Sequence, residues 1–468
     1  MVLVDLYLIP GHQYSSIRRT EPKEVMMPAR KRFVVCTKFV VLAMILLTAC
    51  GCATEREQGK LRTAQNTHDY SWVRGANYVP TYAGTDVGIW HRFDPEVIDR
   101  ELGYAEQIGL NSVRVFLQYH VYECHRDAFL RNVSTFVELC EKHGIRPMLV
   151  VFDSCFGVSP SLQTTEFWVA SPGPDRTNPA FYPDGERYVK DLIELFRDDP
   201  RVLFWDVMNE PMSTWLAGSP EGVEQILDFV THFCDYFHEL GVSQPITVGD
   251  VGQYNVRIVD FVDVISIHTY NKTAEGLRED IMRARRMASK AAKPFVISEC
   301  CAPAWECHYE MAMPLLREQK VGYYFWELMI GKTVFRSVAG LFYPDGTVRR
   351  ISELEAVMDR PAIGFEEKPD SEGVSYSAGA DFQEILTRTL ARMADTPTDD
   401  ENYRERYTLF ITLTRTGRSF GGASQEITRR VDIVGRLLEQ GEKRQALHEL
   451  DALLKTAREA VRDSRQQS

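Results

Sequence analysis

The chain carries no excess of positive charge. Lysine and arginine total 54 against 66 aspartates and glutamates, a formal net charge of −12. No basic patch dominates, which argues against nucleic acid as a partner. The ten cysteines lack the C-x₂-C and histidine spacings of zinc sites and form no compact disulfide framework. Cys140 and Cys234 fall on helical apolar faces and read as small hydrophobes. Cys124, Cys155, Cys300, Cys301 and Cys307 fall in loops near strand ends, where a disulfide can form after export; the sequence singles out no pair. The apolar run from Phe39 to Ala49 is too short to span a bilayer comfortably. What is present is an ordinary globular composition, 44% hydrophobic and 26% charged over 468 residues. That length suffices for a large core and an accessory domain.

The apolar run has a recognisable setting. Arg30, Lys31, Arg32 and Lys38 precede it, the layout of a secretory signal. It ends in Leu47-Thr48-Ala49-Cys50, which resembles a bacterial lipobox. That resemblance implies cleavage before Cys50, lipid on its sulfur, and an exported protein anchored to the membrane of the cell envelope. Gly51 in place of Asp permits outer-membrane sorting if the host has one. Residues 1–25 read as upstream of the true start, since Met26 or Met27 puts the basic cluster at the N-terminus. An ordinary signal peptide, and hence a secreted protein, is the alternative. The polar residues 51–69 read as a tether.

From there the chain alternates short apolar runs with amphipathic helical stretches, the sign of a parallel α/β fold. Strands are expected at Trp72–Asn77, Ser112–Leu117, Pro147–Phe152, Val202–Val207, Ile246–Gly249, Val264–His268, Phe295–Ser298 and Gly322–Trp326. Helices are expected from Asp94-Pro95 to near Gly109, and over Phe129–His143, Gly185–Arg197, Glu221–Leu240, Ala274–Ala291, His308–Gln319 and Arg349–Met358. Residues 153–183 form a long loop. Eight strands within residues 70–360 fit one (β/α)₈ TIM barrel. Residues 361–379 read as a linker, Gly/Ser-rich from Ser371, and 380–468 as an all-helical appendage whose role is packing or spacing.

Chemistry concentrates at two strand ends. The run Val202–Val207 leads through Met208 and Asn209 to Glu210 and is stopped by Pro211. A carboxylate there is hard to justify as core, because burying it unpaired costs several kcal/mol. Phe295–Ser298 ends the same way, in Glu299. At the C-terminal ends of barrel strands four and seven, the two can face each other across the mouth. A retaining glycosidase needs such a pair about 5–5.5 Å apart.

The barrel resembles glycoside hydrolase family 5 in the wide sense, the cellulase-like clan of retaining (β/α)₈ enzymes. The matching residues are Arg114 in Ser-Val-Arg-Val-Phe, Asn209-Glu210-Pro211, His268 and Tyr270 in Ser-Ile-His-Thr-Tyr, Glu299 in Ile-Ser-Glu and Trp326 in Tyr-Phe-Trp. They stand in family order from Trp72 to Arg360. The resemblance implies Glu210 as acid/base and Glu299 as nucleophile, with burial and the Glu299 charge raising the pKa of Glu210. It implies that Arg114 and Tyr270 hold Glu299, that Asn209 binds the sugar 2-hydroxyl, that His268 bonds near Glu210, and that Trp326 floors the −1 subsite. The family places a histidine after strand three. This chain has Asp153-Ser154-Cys155, so Asp153 is a candidate replacement contact. Trp90, Trp168, Trp215 and Trp305 are candidate sugar platforms, and Glu327 a structural carboxylate. The implied substrate is a β-linked glucan- or mannan-type carbohydrate, cut without metal or organic cofactor. The alternatives are an exo-acting β-mannosidase or β-glucosidase, or a carbohydrate-binding lipoprotein without catalysis. Oligomeric state is left open.

Overall fold

The computed structural model describes residues 69–377, apart from 154, 156–161, 163–167, 174–175, 219 and 251–254, and scattered positions between 430 and 455. The expected secretory signal, Cys50 and the expected tether up to His68 lie outside the described residues, as does most of the C-terminal appendage. Among the described residues no helix is long and apolar enough to cross a membrane.

Nine parallel strand segments build the sheet: β1 (Arg74–Asn77), β2 (Ser112–Phe116), β3 (Met148–Asp153), β4 (Phe204–Asn209), β5 (Ile246–Thr247), β6 (Gly249–Asp250), β7 (Ile265–Thr269), β8 (Phe295–Cys300) and β9 (Gly322–Phe325). Their order is β5-β4-β3-β2-β1-β9-β8-β7-β6. β5 and β6 are consecutive pieces of the fifth expected strand, separated by Val248, so the sheet closes on itself through that strand. The result is the eight-stranded TIM barrel. Helices α1 (Asp86–His91), α2 (Pro95–Gln107), α3 (Tyr119–Lys142), α4 (Tyr182–Phe196), α5 (Pro220–Glu239), α6 (Asn255–Ile258), α7 (Ala274–Ala291), α8 (Tyr309–Glu318) and α9 (Ile351–Met358) accompany it.

Local chemistry sets many boundaries. Asp94 caps α2 by accepting from the Glu96 and Val97 amides, with Pro95 opening the helix. Thr273 caps α7 through the Gly276 amide. α3 begins ten residues before the expected Phe129, because the Gln118 side chain caps it at the His120 amide; a break at His125 marks where two helical pieces join. α1, capped by Thr85, is too short to show a helical period in the sequence.

The barrel interior changes character along its axis. One end is apolar: Val73, Met148, Phe204, Val264, Val296 and Tyr324 form a separate buried cluster. Gly75 stands where a side chain would collide with the Tyr324 ring. Strand alternation carries the next positions into a polar middle. There Arg114, Asn77, Asp206, Ser266 and Ser298 are all buried and joined by hydrogen bonds. The C-terminal ends of the strands then hold Glu210, His268 and Glu299. A register shift between Ile267 and His268 pairs His268 with Glu299, which aims both at the barrel mouth.

The linker expectation is corrected as far as Ser377. Lys368 and Val348 share a backbone bond of 2.8 Å, and the Ser377 amide donates to Ser337 at 2.9 Å. The Tyr376 hydroxyl bonds to both oxygens of Glu353, and the Arg349 guanidinium lies 4.2 Å from the Tyr376 ring centre. A polar composition hid a segment held by one aromatic and a handful of backbone bonds. Farther on, the described positions between 430 and 455 are helical, with Arg430 3.4 Å from Glu449.

Candidate active site

The site is built outward from Arg114, delivered to the barrel axis by β2. It is fully buried. Its Nε and Nη2 donate to Asp206 Oδ2 at 3.0 and 2.8 Å. Nη1 donates to Asn77 Oδ1 at 2.9 Å and to Glu299 Oε1 at 2.6 Å, and Nη2 also reaches Asn209 Oδ1 at 2.6 Å. Burial disfavours the guanidinium charge, but Asp206 and Glu299 outweigh it and hold the proton more firmly than usual. Such an ion cluster is stable only because nearly every donor has an acceptor.

Glu299 is thereby fixed at one oxygen. The Tyr270 hydroxyl donates to the other at 2.7 Å. Burial and the Glu299 charge keep that phenol well above its ordinary range, so it stays a donor.

Glu210 stands opposite, on a left-handed backbone (φ 38°) that turns the chain off β4. Its amide donates to the Gly249 carbonyl at 2.7 Å. Oε1 lies 2.6 Å from His268 Nδ1, and the same nitrogen is 3.5 Å from Glu299 Oε2. Oε2 accepts from the Cys155 thiol at 2.9 Å. One oxygen each from Glu210 and Glu299 and a ring nitrogen of His268 all lie within 4.8 Å of one another. Gly249 keeps the back of the imidazole clear, since a Cβ there would fall 2.6 Å from Nε2.

The expected upward shift of the Glu210 pKa is corrected. Burial does push it up, but the hydrogen bond and charge of His268, with bonds from Cys155 and Ser213, prevail and hold the carboxyl down at about 2. His268 moves the other way. Burial lowers its proton affinity, while Glu299 and Glu210 raise it further, above the ordinary 6.5. Each group of the pair thus favours the charged form of the other. The sequence reading weighed burial and the like charge but not a cation 2.6 Å away.

The other expected residues divide. Asn209 meets Arg114 through its oxygen, and its Nδ2 donates to Asp153 Oδ1 at 3.1 Å. Trp326 is 6% exposed and held edge-on by Phe116 and Phe335. Asp153 is corrected: it faces scaffold. Its Oδ1 also accepts from the Cys155 amide at 2.8 Å, and Oδ2 from the Trp168 indole at 2.5 Å. Burial, only partly offset by the Trp168 and Asn209 bonds, raises its pKa to about 7. Trp90 is corrected as a sugar platform. It is 1% exposed, donates to the Phe116 carbonyl at 2.6 Å and packs against Phe93, Phe129 and Phe136. Trp168 is likewise buried as a scaffold donor. The Trp215 side chain falls outside the described residues. Trp305 is partly buried, edge-on to Tyr270 at 5.2 Å. Glu327 is fully buried with Oε2 unpartnered; burial, against the Arg349 charge, raises it to about 8.

Three residues escaped the sequence reading: Asn77, Asp206 and Cys155. Asp206 left a signal, an acid in the middle of an otherwise apolar buried strand, two strands from a buried arginine. Asn77 and Cys155 left none.

No family model matches the chain, and no curated protein matches it. Solved structures do. The chain is similar to an exo-β-1,4-mannosidase from Opitutaceae bacterium strain TAV5, at 18% identity over 69% of this chain and 68% of that one, with a TM-score of 0.46. It is similar to a GH5_18 protein from Streptomyces cattleya solved with GlcNAc, at 16% identity, 74% and 96% coverage and a TM-score of 0.48. It is also similar to an endo-β-1,4-mannanase from Thermotoga petrophila, at 14% identity, 63% and 77% coverage and a TM-score of 0.45. Function is therefore read from the side chains.

Proposed function

We propose that this chain is a retaining β-glycosidase acting on a β-linked glucan- or mannan-type carbohydrate by double displacement. The observation that carries the reading is the separation of the two carboxylates. An oxygen of Glu210 and one of Glu299 lie within 4.8 Å, close to the roughly 5–5.5 Å of retaining pairs and short of the roughly 6.5–9.5 Å that an inverting pair leaves for water.

Each partner has a task. Glu299, paired with Arg114 and steadied by Tyr270, attacks the anomeric carbon while Glu210 protonates the departing glycosidic oxygen. A covalent glycosyl–Glu299 ester results. Glu210, now a carboxylate, takes a proton from water, whose oxygen displaces Glu299 and frees the sugar with its configuration retained. Asn209, clamped between Arg114 and Asp153, offers an amide N–H to the sugar 2-hydroxyl. Trp326 presents its face to the ring at −1.

The test is a panel of β-linked gluco-, manno- and xylo-oligosaccharides, with Glu299→Ala as control. Cleavage by the parent and not the variant supports the reading, and product lengths separate endo from exo action. Cleavage of none by a folded protein sinks it in favour of a carbohydrate binder. The same reading puts the enzyme on the cell envelope through a lipid on Cys50. Labelling of cells with a radioactive fatty acid tests that: the label should be lost in Cys50→Ala, and an unlabelled parent contradicts it.

A further inference from the structure

Both oxygens of the Glu210 carboxylate are occupied by protein. His268 Nδ1 holds Oε1 at 2.6 Å, and the Cys155 thiol donates to Oε2 at 2.9 Å. Ser213 bonds to the same carboxylate. A general acid must present one oxygen, with its proton, to the leaving group, and a partner that lets go clears the way to that oxygen. His268 is the wrong candidate. It is fixed on β7, its side chain is fully buried, and it touches both carboxylates. Cys155 lies just past the end of β3 and is only partly buried. Its Sγ is one bond rotation from leaving Oε2, while its backbone stays pinned by the Asp153 carboxylate.

We propose that Cys155 is a positioning residue for the acid/base: its thiol holds Glu210 Oε2 in the resting site and yields that oxygen to the glycosidic oxygen when a glycoside binds. The inference rests on the glycosidase reading above. A hydrogen bond to a carboxylate favours the charged form. While the thiol is in place it therefore helps to keep Glu210 unprotonated. Once it leaves, Oε2 gains proton affinity, takes a proton from solvent and passes it to the departing oxygen. Sulfur keeps its own hydrogen throughout, and nothing is oxidised or reduced. Burial, and the Glu210 and Asp153 charges, push the thiol well above its ordinary range, so it acts only as a neutral donor. The other charged or titratable groups around Glu210 are His268, Glu299, Arg114 and Tyr270, from β7, β8, β2 and the turn after β7. All of them are unchanged by a substitution at Cys155.

The test compares pH profiles of kcat/KM for the parent, Cys155→Ala and Cys155→Ser. Losing the donor raises the proton affinity of the coupled Glu210–His268 pair, so the alkaline limb of the alanine variant should move upward by on the order of half a pH unit. Serine restores an O–H donor and should bring the limb back. An unmoved limb in the alanine variant overturns the proposal, as does a serine variant that shifts equally. A merely structural role would lower rates in both without moving the limb. A second readout needs no turnover: peptide-resolved mass spectrometry of Cys155 alkylation by iodoacetamide. Glu210→Gln removes the charge that suppresses the thiolate and should speed alkylation roughly threefold or more; an unchanged rate contradicts the contact. If the parent cleaves no glycoside the glycosidase reading fails, and alkylation still decides whether Cys155 and Glu210 are coupled.

Discussion

Glu210 and Glu299 are both carboxylates buried at strand ends, and they differ in the kind of partner that holds them. Glu299 is paired with Arg114, a cation at every working pH, and with a phenol that does not ionise. Glu210 is paired with His268, whose charge changes near neutrality, and with a thiol. The first environment has partners whose charge does not change. The second has one whose charge does. A nucleophile must be ionised throughout, whereas an acid/base must gain and lose a proton in each turnover. The contrast in partners supports the proposed roles, Glu299 as nucleophile and Glu210 as acid/base.

The largest expected effect comes from removing the proposed nucleophile. Glu299→Ala should lower kcat by roughly 10⁴-fold or more, with the folded circular-dichroism spectrum unchanged. Glu210→Gln should lose roughly 10²–10⁴-fold, and less of it on aryl glycosides whose leaving groups need little protonation. If both variants lose equally on every leaving group, the division of roles is wrong. Arg114→Met attacks the arrangement itself by leaving Asp206 and Glu299 buried without their cation. Urea unfolding should show a loss of about 3–5 kcal/mol, and a change within error would mean that the cluster relaxes at no cost.

The smallest effect is a pH dependence of stability. The His268 pKa is raised above 6.5, so its contribution is complete below that value and is lost as pH rises through the raised one. The Glu210 pKa is depressed from 4.5 to about 2, so its contribution is present above 4.5 and is lost as pH falls toward 2. The pair thus stabilises most between 4.5 and 6.5. The Tm difference between the parent and His268→Gln should peak inside that window. A difference that grows steadily toward alkaline pH would contradict the assigned charges.

The barrel was legible because its strands are apolar runs bounded by turn residues, and each strand end was placed within two or three residues. Glu210 and Glu299 stood out because a carboxylate at the end of such a run needs a reason to be there; Arg114 and His268 were picked out by the family resemblance alone. The partners were harder. Whether Asp153 faces a ligand or the scaffold depends on three donors, from Asn209, Trp168 and the Cys155 amide, that converge only in the fold. Trp90 stands in a loop context and Trp326 at the end of an apolar strand, and both read as sugar contacts in the sequence. They separate only in the fold, where α1 carries Trp90 into packing against Phe129 and Phe136. The direction of the Glu210 pKa turned on one distance to His268, which no spacing along the chain encodes.

The central claim is that Glu299 is the atom donor to a covalent intermediate and Glu210 is not. Peptide mapping after reaction with 2-deoxy-2-fluoro β-glucosyl and β-mannosyl fluorides tests it most directly. The account predicts a single glycosyl adduct on the peptide carrying Glu299, absent from Glu299→Ala and discharged slowly in water. An adduct on any other residue, or turnover of the parent's substrate with inverted anomeric configuration and no adduct, would contradict it.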